Sequence, residues 1–467
     1  MELIILKFCI HTSIHTLTYF IFYLKGRKPS KSTCLKMTDV ESDKISCLPD
    51  HLIGQILSHL TIKEAVTTSV LSSEWRNKWS TQPDLVFDSR CVSTAISKDP
   101  SVIESKFLRI VDHVLLLHSG PINKFEVSDS YRDIIIDVNA MADIDRWIRH
   151  LTGRHIKEFV LDICFDQRYK IPSSLFSCQG LHHLDLNYCW LKPPTKFEGF
   201  RSMKILYLNR VTMSQDAFNN MIYGCPVLEK LTLAKIDGLT HINIHAPNLK
   251  FFEVDDEFES INFDNTFQLA NVFIYMKSKS NQGRLHGFSS NLANFFDHLP
   301  RIQSLQIADG FLKYLATGIV PEKLPTLCVN LRSICLWINF NDLKQVSVVL
   351  CLLKSSPNLR DLRMIVQRDE LTAHLTPASY CWKDIFSDPS MPLGVQHVSI
   401  GISGIKSELD FIRFLLLHSP MLEKVIVEPD VEIRSEVMTE LLQLKKMSRQ
   451  AEVIYCGKDS SQCFLFS

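Results

Sequence analysis

The sequence predicts an α/β protein in which a small module of three helices precedes a long solenoid of repeated, strand-containing units. Two observations lead to this prediction. Apolar residues with helical spacing fill residues 44–88, and a motif of nine residues recurs between residues 100 and 456. The chain has 467 residues, of which 46% are apolar, so it contains enough material to bury an extended core.

Residues 1–36 precede the first predicted element and allow three interpretations. Residues 8–24 carry no charge and four cations follow by residue 31, as in a membrane anchor. That run is at the short limit for crossing a bilayer, and no small-residue site indicates cleavage of a secretory signal. We therefore expect a dispensable extension before Met37, and the anchor and the signal peptide stay as alternatives.

The segment LPDHLIGQILSHL predicts the first helix. Pro49 suits a first helical turn because its missing N–H would be unpaired there, and the charge of Asp50 suits the helix dipole. Apolar residues then recur on one helical face. These residues are Leu48, Leu52, Ile53, Ile56, Leu57 and Leu60.

Two further helices complete the module. Thr61 and Glu64 form a capping box that opens the second helix, with Ala65, Val66, Ser69 and Val70 directed inward. Ser72 or Ser73 then caps a third helix, in which Trp75 and Trp79 share a face. About 45 residues barely make a core. We therefore expect the module to expose apolar surface and to require a partner.

The rest of the chain repeats the pattern Leu-x-x-Leu-x-Leu with apolar substitutions. Most intervals between successive units lie within the roughly 20 to 29 residues of a leucine-rich repeat, and the longer ones contain insertions. One such unit cannot bury its apolar face alone, so the units stack and share a core. The predicted units start at Ile122, Ile156, Leu181, Met203, Leu228, Leu249, Leu269, Ile302, Leu331, Leu359, Val395 and Leu422.

Alternation within each unit predicts a short strand with one buried face and one outward face. Large aromatic side chains at outward positions are typical anchors of protein recognition. We therefore predict target-binding residues at Tyr207, Phe251, Phe273 and Trp337. The inserts near residues 277–292 and the C-terminal tail are alternative positions for a target.

The sequence argues against catalysis, metal binding and nucleic-acid binding. We find no glycine-rich phosphate loop, GxSxG elbow or HExxH helix, and the 51 basic residues balance 51 acidic ones. The 14 cysteines include no C-x-x-C pair, which favours buried thiols in a reducing compartment. Cys178, His182, His183 and Cys189 do not have the spacing of a common zinc site, so we expect packing there. No cofactor is expected.

Residues 44–88 resemble the F-box of plant F-box proteins, in the run Ile45-Ser46-x-Leu48-Pro49-Asp50 and the Trp75/Trp79 pair among other matches. Two positions differ: Thr61 stands where Pro is usual, and Ser73-Glu74 where a basic pair is usual. The segments GCPVLEKLTL and APNLKFFEV resemble the irregular leucine-rich repeats of the same proteins, and residues 375–456 resemble their FBD region. The resemblance implies an F-box at 44–88, repeats at 100–365 and an FBD-like continuation of the solenoid.

The resemblance also implies a function. An F-box docks onto a Skp-type adaptor, which links it to the cullin and RING subunits of a ubiquitin ligase, while the repeats hold a target protein for degradation. The chain would then be a non-catalytic subunit in the nucleus or cytoplasm, with membrane association not expected. A non-degradative scaffold or small-ligand sensor is the alternative. The adaptor-binding residues would be Leu48, Pro49, Ile53, Ile56, Leu57, Val66 and Leu71.

Overall fold

The computed structural model describes residues 48–92, 99–129, 134–276, 291–367, 392–429, 440–441 and 443–456. The chain divides between Met203 and Lys204 into two compact units. Residues 1–36, positions Ile45 and Ser46, and parts of the FBD-like region and of the insert after residue 276 lie outside the described ranges. Expectations about those segments stay predictions. No helix among the described residues has the length and apolar character needed to cross a membrane.

Two of the three predicted helices of the first module are α-helices. The first carries Asp50 in its opening turn, as expected. At the start of the second, the Thr61 hydroxyl accepts a hydrogen bond from the Glu64 backbone N–H, and the Glu64 carboxylate accepts one from the Thr61 N–H. A cap of this kind contributes about 1 kcal/mol. The predicted capping box is therefore confirmed.

The third predicted helix is a short 3₁₀ helix, Lys78–Thr81, and begins later than expected. Residues 73–77, where the helix was expected to begin, form a turn. The backbone N–H groups of this segment donate to carbonyls three residues earlier, which winds the chain more tightly than an α-helix. The tight winding lets the chain enter the next strand within a few residues. Trp75 and Trp79 are nevertheless both buried, as their spacing predicted.

The helical module is continuous with the sheet of the first unit. Its last segment, β1 (Asp84–Phe87), pairs in parallel with β2 (Lys124–Ser128), and the Ser119 N–H donates to the Ser80 carbonyl over 2.9 Å. Leu85 and Phe87 on β1 are buried, and the Phe87 ring lies 5.7 Å from that of Phe125 on β2. The module thus gains from its neighbour the core that 45 residues could not supply alone.

The core of the first unit lies between its helices and one face of a parallel sheet with the order β1-β2-β4-β7. Phe125 packs against Phe159 at 5.9 Å and Trp147 at 6.2 Å between ring centroids. The helices are α1 (Asp50–Ser58), α2 (Ile62–Thr67), α3 (Pro100–Leu117) and α4 (Met141–Thr152). The strands are β1 (Asp84–Phe87), β2 (Lys124–Ser128), β3 (Ile135–Ile136), β4 (Glu158–Asp162), β5 (Cys164–Phe165), β6 (Tyr169–Lys170), β7 (His183–Asn187) and β8 (Cys189–Trp190).

Among the described residues, the main sheet of the second unit has ten parallel strands in the order β9-β10-β12-β14-β15-β16-β17-β18-β19-β20, and β11 pairs with β13 in a separate sheet. The helices are α5 (Gln215–Tyr223), α6 (Asn291–Asp297), α7 (Phe311–Leu315), α8 (Leu343–Ser355) and α9 (Lys406–His418). The strands are β9 (Ile205–Asn209), β10 (Lys230–Ala234), β11 (His241–His245), β12 (Phe251–Asp256), β13 (Ser260–Asp264), β14 (Asn271–Met276), β15 (Ser304–Asp309), β16 (Ser333–Ile338), β17 (Asp361–Val366), β18 (His397–Ile402), β19 (Lys424–Pro429) and β20 (Glu452–Tyr455).

The predicted repeat register is confirmed. In all twelve predicted units a strand begins two residues after the predicted start, so that Leu228 precedes β10 and Leu249 precedes β12. The FBD-like region supplies β18, β19 and β20, which extend the sheet of the second unit. Within each unit, the outward side chains of successive strands therefore stand in rows across the sheet.

Candidate functional site

The helical module exposes a set of apolar side chains, here called the docking surface. Val70 is the most exposed member, at 81%, and Val66 is 37% exposed. Exposure of this kind in so small a module is typical of a surface that another protein covers. The docking surface consists of Leu48, Pro49, Ile56, Val66, Val70 and Leu71, of which all but Val70 were predicted as adaptor-binding residues.

The prediction that Ile53 and Leu57 are exposed is wrong. Each side chain is only 2% exposed, on the side of α1 that faces the module's own core. The helix has a single broad apolar face, and its central residues are needed to close that core. The residues at the margins of the face, such as Ile56, stay partly exposed. A partner could therefore contact only the margins directly.

Val70 was predicted to point inward, and the structure reverses this. α2 ends at Thr67, and Thr68–Val70 continues as a 3₁₀ turn. Thr68 is the buried residue of that turn, and its hydroxyl donates to the Ala65 carbonyl over 2.6 Å. A 3₁₀ turn rotates each residue by more than an α-helix does, so Val70 leaves the inward face.

A cavity of about 610 Å³ adjoins the docking surface. Val66 and Ile62 from α2 line it on one side, and Ile110 and Val114 from α3 on the other. Lys63, Lys106 and Arg109 also line it. The docking surface therefore continues into an apolar recess bordered by cations.

The outward face of the second unit carries the predicted target-binding residues. Tyr207, Phe251, Phe273 and Trp337 are all partly exposed, whereas the residues flanking them on their strands are buried. Phe251 is the first residue of β12 and has one such neighbour, Phe252. The outward row through Tyr207 continues in strand register as Thr232, Glu253, Phe273, Gln306, Cys335, Arg363 and Ser399. The burial pattern along these strands confirms which face is outward, although Thr232 in this row is itself buried. Target binding itself stays a prediction.

Four aromatic side chains on this face form two contacting pairs, together called the aromatic patch. The ring centroids of Phe251 and Phe273 are 5.2 Å apart, and those of Tyr275 and Trp337 are 6.0 Å apart. Tyr275 was not among the predicted anchors, although its strand position marks it as outward. Tyr207 lies further along the same face, on β9.

The other end of the same face is dominated by matched charges. His397 Nδ1 lies 2.9 Å from Asp361 Oδ1, and Arg363 lies 3.8 Å from Glu428. Ser399 also donates to Glu428 over 2.9 Å. The outward face thus has an aromatic half on β12–β16 and an ion-paired half on β17–β19.

In the first unit, the outward face of the sheet is mainly polar. The Asn187 amide donates to Asp162 over 2.8 Å, while Asp185 Oδ1 is buried without a hydrogen-bond partner. Burial, and then the negative charges of Asp162 and Glu126, raise the pKa of Asp185 to about 7. A buried acid in this state holds its proton at a pH where it would be ionised in water.

Asp185 gives a pH-dependent prediction for stability. Its pKa is 3.8 in the ordinary reference state and about 7 in the folded chain, so between these values the folded state binds more protons. The contribution of Asp185 to folding stability should therefore fall as pH rises through this window, by up to about 1.4 kcal/mol per pH unit. In Asp185→Asn this contribution is absent, and we expect a flatter profile and greater stability than wild type at pH 8.

Urea unfolding between pH 5 and 8 measures this difference. Glu198→Gln, at an exposed carboxylate of the same unit, is the matched control and should follow the wild-type profile. If the free energy of unfolding changed equally with pH in Asp185→Asn and in wild type, the prediction would be contradicted.

The cysteines and histidines between residues 178 and 189 lie in different environments. Cys178 and Cys189 are buried, whereas His182 is exposed. Burial raises the pKa of the Cys178 thiol to about 11 and also raises that of Cys189. Among the described residues, no group of three or more His, Cys, Asp or Glu side chains is placed to hold a metal ion.

Comparison with known proteins agrees with this architecture. The F-box domain model matches residues 45–87, and the model described as "FBD-associated F-box protein At5g56370, LRR repeats" matches residues 144–364. The Arabidopsis thaliana F-box/FBD/LRR-repeat protein At1g13570 is 36% identical over 419 residues, covering 88% of this chain and 98% of that protein. The chain belongs to the plant F-box/FBD/LRR-repeat family.

Two further Arabidopsis relatives are less similar to this chain than At1g13570 is. The Arabidopsis F-box/FBD/LRR-repeat protein At5g53840 is 27% identical over 446 residues, covering 85% of this chain and 90% of its own length. The F-box/LRR-repeat protein At3g59200 is 33% identical over 224 residues, covering 47% of this chain and 40% of its own length. The docking surface of this F-box/FBD/LRR-repeat protein thus lies within its F-box, and the aromatic patch within its repeats.

Proposed function

We propose that this F-box/FBD/LRR-repeat protein is the substrate-recognition subunit of an SCF-type (Skp–cullin–F-box) ubiquitin ligase. The F-box docks a Skp-like adaptor, and the adaptor connects it to the cullin and RING subunits. The repeats bind a target protein, which is ubiquitinated and degraded by the proteasome. The observation that carries the proposal is that one chain holds both an F-box with exposed apolar side chains and a separate repeat surface with partly exposed aromatic rings.

The docking surface supports the first half of this function. Val66 and Val70 are exposed although they are apolar, and covering them with an adaptor removes that surface from water at roughly 25 cal/mol per Å². Pro49 and Leu48 lie at the start of α1 and extend the same kind of surface. The buried pair Ile53 and Leu57 supports the module from within.

The aromatic patch supports the second half. Rigid aromatic side chains give a large contact area at a small cost in conformational entropy, which is why they dominate recognition surfaces. In this function the chain performs no bond chemistry. It holds the target close to the ubiquitin-transferring subunits, and proximity then accelerates transfer. We place the protein in the nucleus or cytoplasm, where the adaptor and proteasome operate.

Replacing the predicted target-binding residues in pairs tests the proposal. Changing Phe251 and Phe273, or Tyr207 and Trp337, to Ala should weaken target capture about thirtyfold for each lost anchor, from about 2 kcal/mol per anchor. Capture is measured by affinity purification from plant cells with the proteasome blocked, followed by peptide identification. Adaptor recovery serves as the internal control and should not change.

The result separates this function from the alternatives. If the paired variants recover every partner as well as wild type does, the target binds elsewhere on the chain. If partners are recovered equally with the proteasome active or blocked, the protein acts as a non-degradative scaffold or a sensor.

A further inference from the structure

The aromatic patch also contains negative charge. Glu253 is the direct neighbour of Phe273 across the β12–β14 ladder, and Asp255 is the neighbour of Tyr275. Both carboxylates belong to outward, partly exposed residues. Aromatic rings and carboxylates therefore alternate over the same few strands.

The geometry around Ala308 brings two of the rings together. Tyr275 and Trp337 lie on β14 and β16, which are separated by β15. Strands are spaced by about 4.8 Å, so residues two strands apart usually stand nearly 10 Å from each other. The β15 residue paired with Tyr275 is Ala308, which is buried. Because its side chain is so small, the two rings approach to 6.0 Å across it.

The electrostatics of the patch disfavour an anion. The pKa of Tyr275 is raised to about 12, first by burial and then by the negative charge of Glu253. Burial also raises the pKa of Glu253 itself. A partly buried carboxylate is stabilised in its charged form by a nearby cation. The Tyr275 hydroxyl accepts a hydrogen bond from the Gln306 amide. The carboxylates of Glu253 and Asp255, paired in register with Phe273 and Tyr275, give the patch the charge that suits a positively charged ligand.

The chain itself shows one cation bound to the patch. Lys230 Nζ lies 4.6 Å from the centroid of the Phe251 ring, and its charge also acts on Glu253. Cations are attracted to the faces of aromatic rings at such distances, most strongly where water is excluded. Tyr275 lies two residues after Phe273 on β14, and its partner Trp337 lies on β16.

We propose that the aromatic patch binds a lysine or arginine side chain of the target protein. The rings of Phe273, Tyr275 and Trp337 supply cation–π attraction, and Glu253 and Asp255 supply the opposite charge. The inference rests on the proposed function, since it names the chemistry of the target at that surface. On the ion-paired half of the face, Glu428 lies 3.8 Å from Arg363 and Asp361 lies 2.9 Å from a ring nitrogen of His397.

A peptide library with one fixed central position tests this directly. The probes are immobilised nonapeptides with randomised flanks and Arg, Lys, Gln, Met or Glu at the centre. Gln and Met are long, flexible side chains that carry no charge. The purified full chain should bind the Arg- and Lys-centred peptides about tenfold more than the Gln- and Met-centred ones, which lies within the range that cation–π contacts provide. The Glu-centred peptides should bind least.

Four variants assign the preference to the patch. Glu253→Gln removes the charge at constant size, and Trp337→Leu removes a ring; each should reduce the preference for Arg and Lys to near that for Gln. Glu428→Gln, in the ion-paired half, and Trp190→Leu, at an exposed tryptophan of the first unit, are the matched controls and should keep it. Using two different changes in the patch protects the test against a folding defect in one of them.

The outcomes are distinct. No central preference, a preference for Glu, or a preference unchanged in both Glu253→Gln and Trp337→Leu overturns the inference. Adaptor binding, measured on the same preparation, reports on the proposed function separately. A chain that binds the adaptor but shows no preference for cations overturns only the inference, whereas a chain that prefers cations but does not bind the adaptor overturns the proposed function.

Discussion

Replacing Val70 by Asp is expected to weaken adaptor binding by about thirtyfold or more without unfolding the chain. Val70 is 81% exposed, so its side chain contributes little to the core of the F-box. In the complex the introduced carboxylate would be buried against apolar surface, which is unfavourable unless a partner neutralises it. Loss of a central anchor typically costs about 2 kcal/mol, which corresponds to the stated factor.

A matched control separates this effect from a general effect of added charge. Ile319→Asp makes the same kind of change at a residue that is 72% exposed in the second unit. Calorimetric titration of the purified chain with a Skp-type adaptor should give an unchanged affinity for this control and a reduced one for Val70→Asp. Equal affinities for both variants and wild type would remove Val70 from the docking surface.

Replacing Phe252 by Ala is expected to lower the free energy of unfolding by about 3 to 5 kcal/mol. Phe252 is fully buried on β12, and its ring packs edge-on against Phe263 with centroids 5.3 Å apart. The strands on either side of β12 place Leu231 and Val272 next to it. In a repeat array each unit is stabilised mainly by its neighbours, so the cavity weakens both flanking interfaces.

Phe267→Ala is the control for this second prediction. Phe267 is the same residue type in the same unit but is 50% exposed, so its loss leaves no comparable cavity. Urea unfolding monitored by circular dichroism gives the free energy of unfolding of both variants. A difference of less than about 1 kcal/mol between the two variants would show that Phe252 does not hold adjacent repeats together.

The repeat could be predicted from sequence because each unit repeats the same local requirement. A strand with one buried face needs apolar residues at fixed positions, and stacking forces every unit to meet that need. The strands at the two ends were not predicted. The residue two positions before β1 is Gln82, and the residue two positions before β20 is Gln450. Because both are polar, the pattern has no apolar start there.

Features that depend on three-dimensional context were harder to predict. The αL corners directly after β7, β9 and β10 are formed by Tyr188, Arg210 and Lys235, with φ between 52° and 57°. None of these is a glycine, so the sequence gives no turn signal. Likewise, the 3₁₀ turn that exposes Val70 depends on where α2 ends. In the aromatic patch, the contact of Tyr275 with Trp337 depends on Ala308 in the strand between them.

The central claim is that one chain joins an adaptor, through its F-box, to a target for degradation, through its repeats. The most direct test is the abundance of captured proteins in plant cells that express wild type, Val70→Asp or the Phe251/Phe273 double alanine variant. We predict that at least one protein is co-purified with wild type only when the proteasome is blocked. The same protein should be co-purified with Val70→Asp even without the block, and it should be absent from the double variant. Captured proteins whose abundance is the same in all of these conditions would contradict the claim.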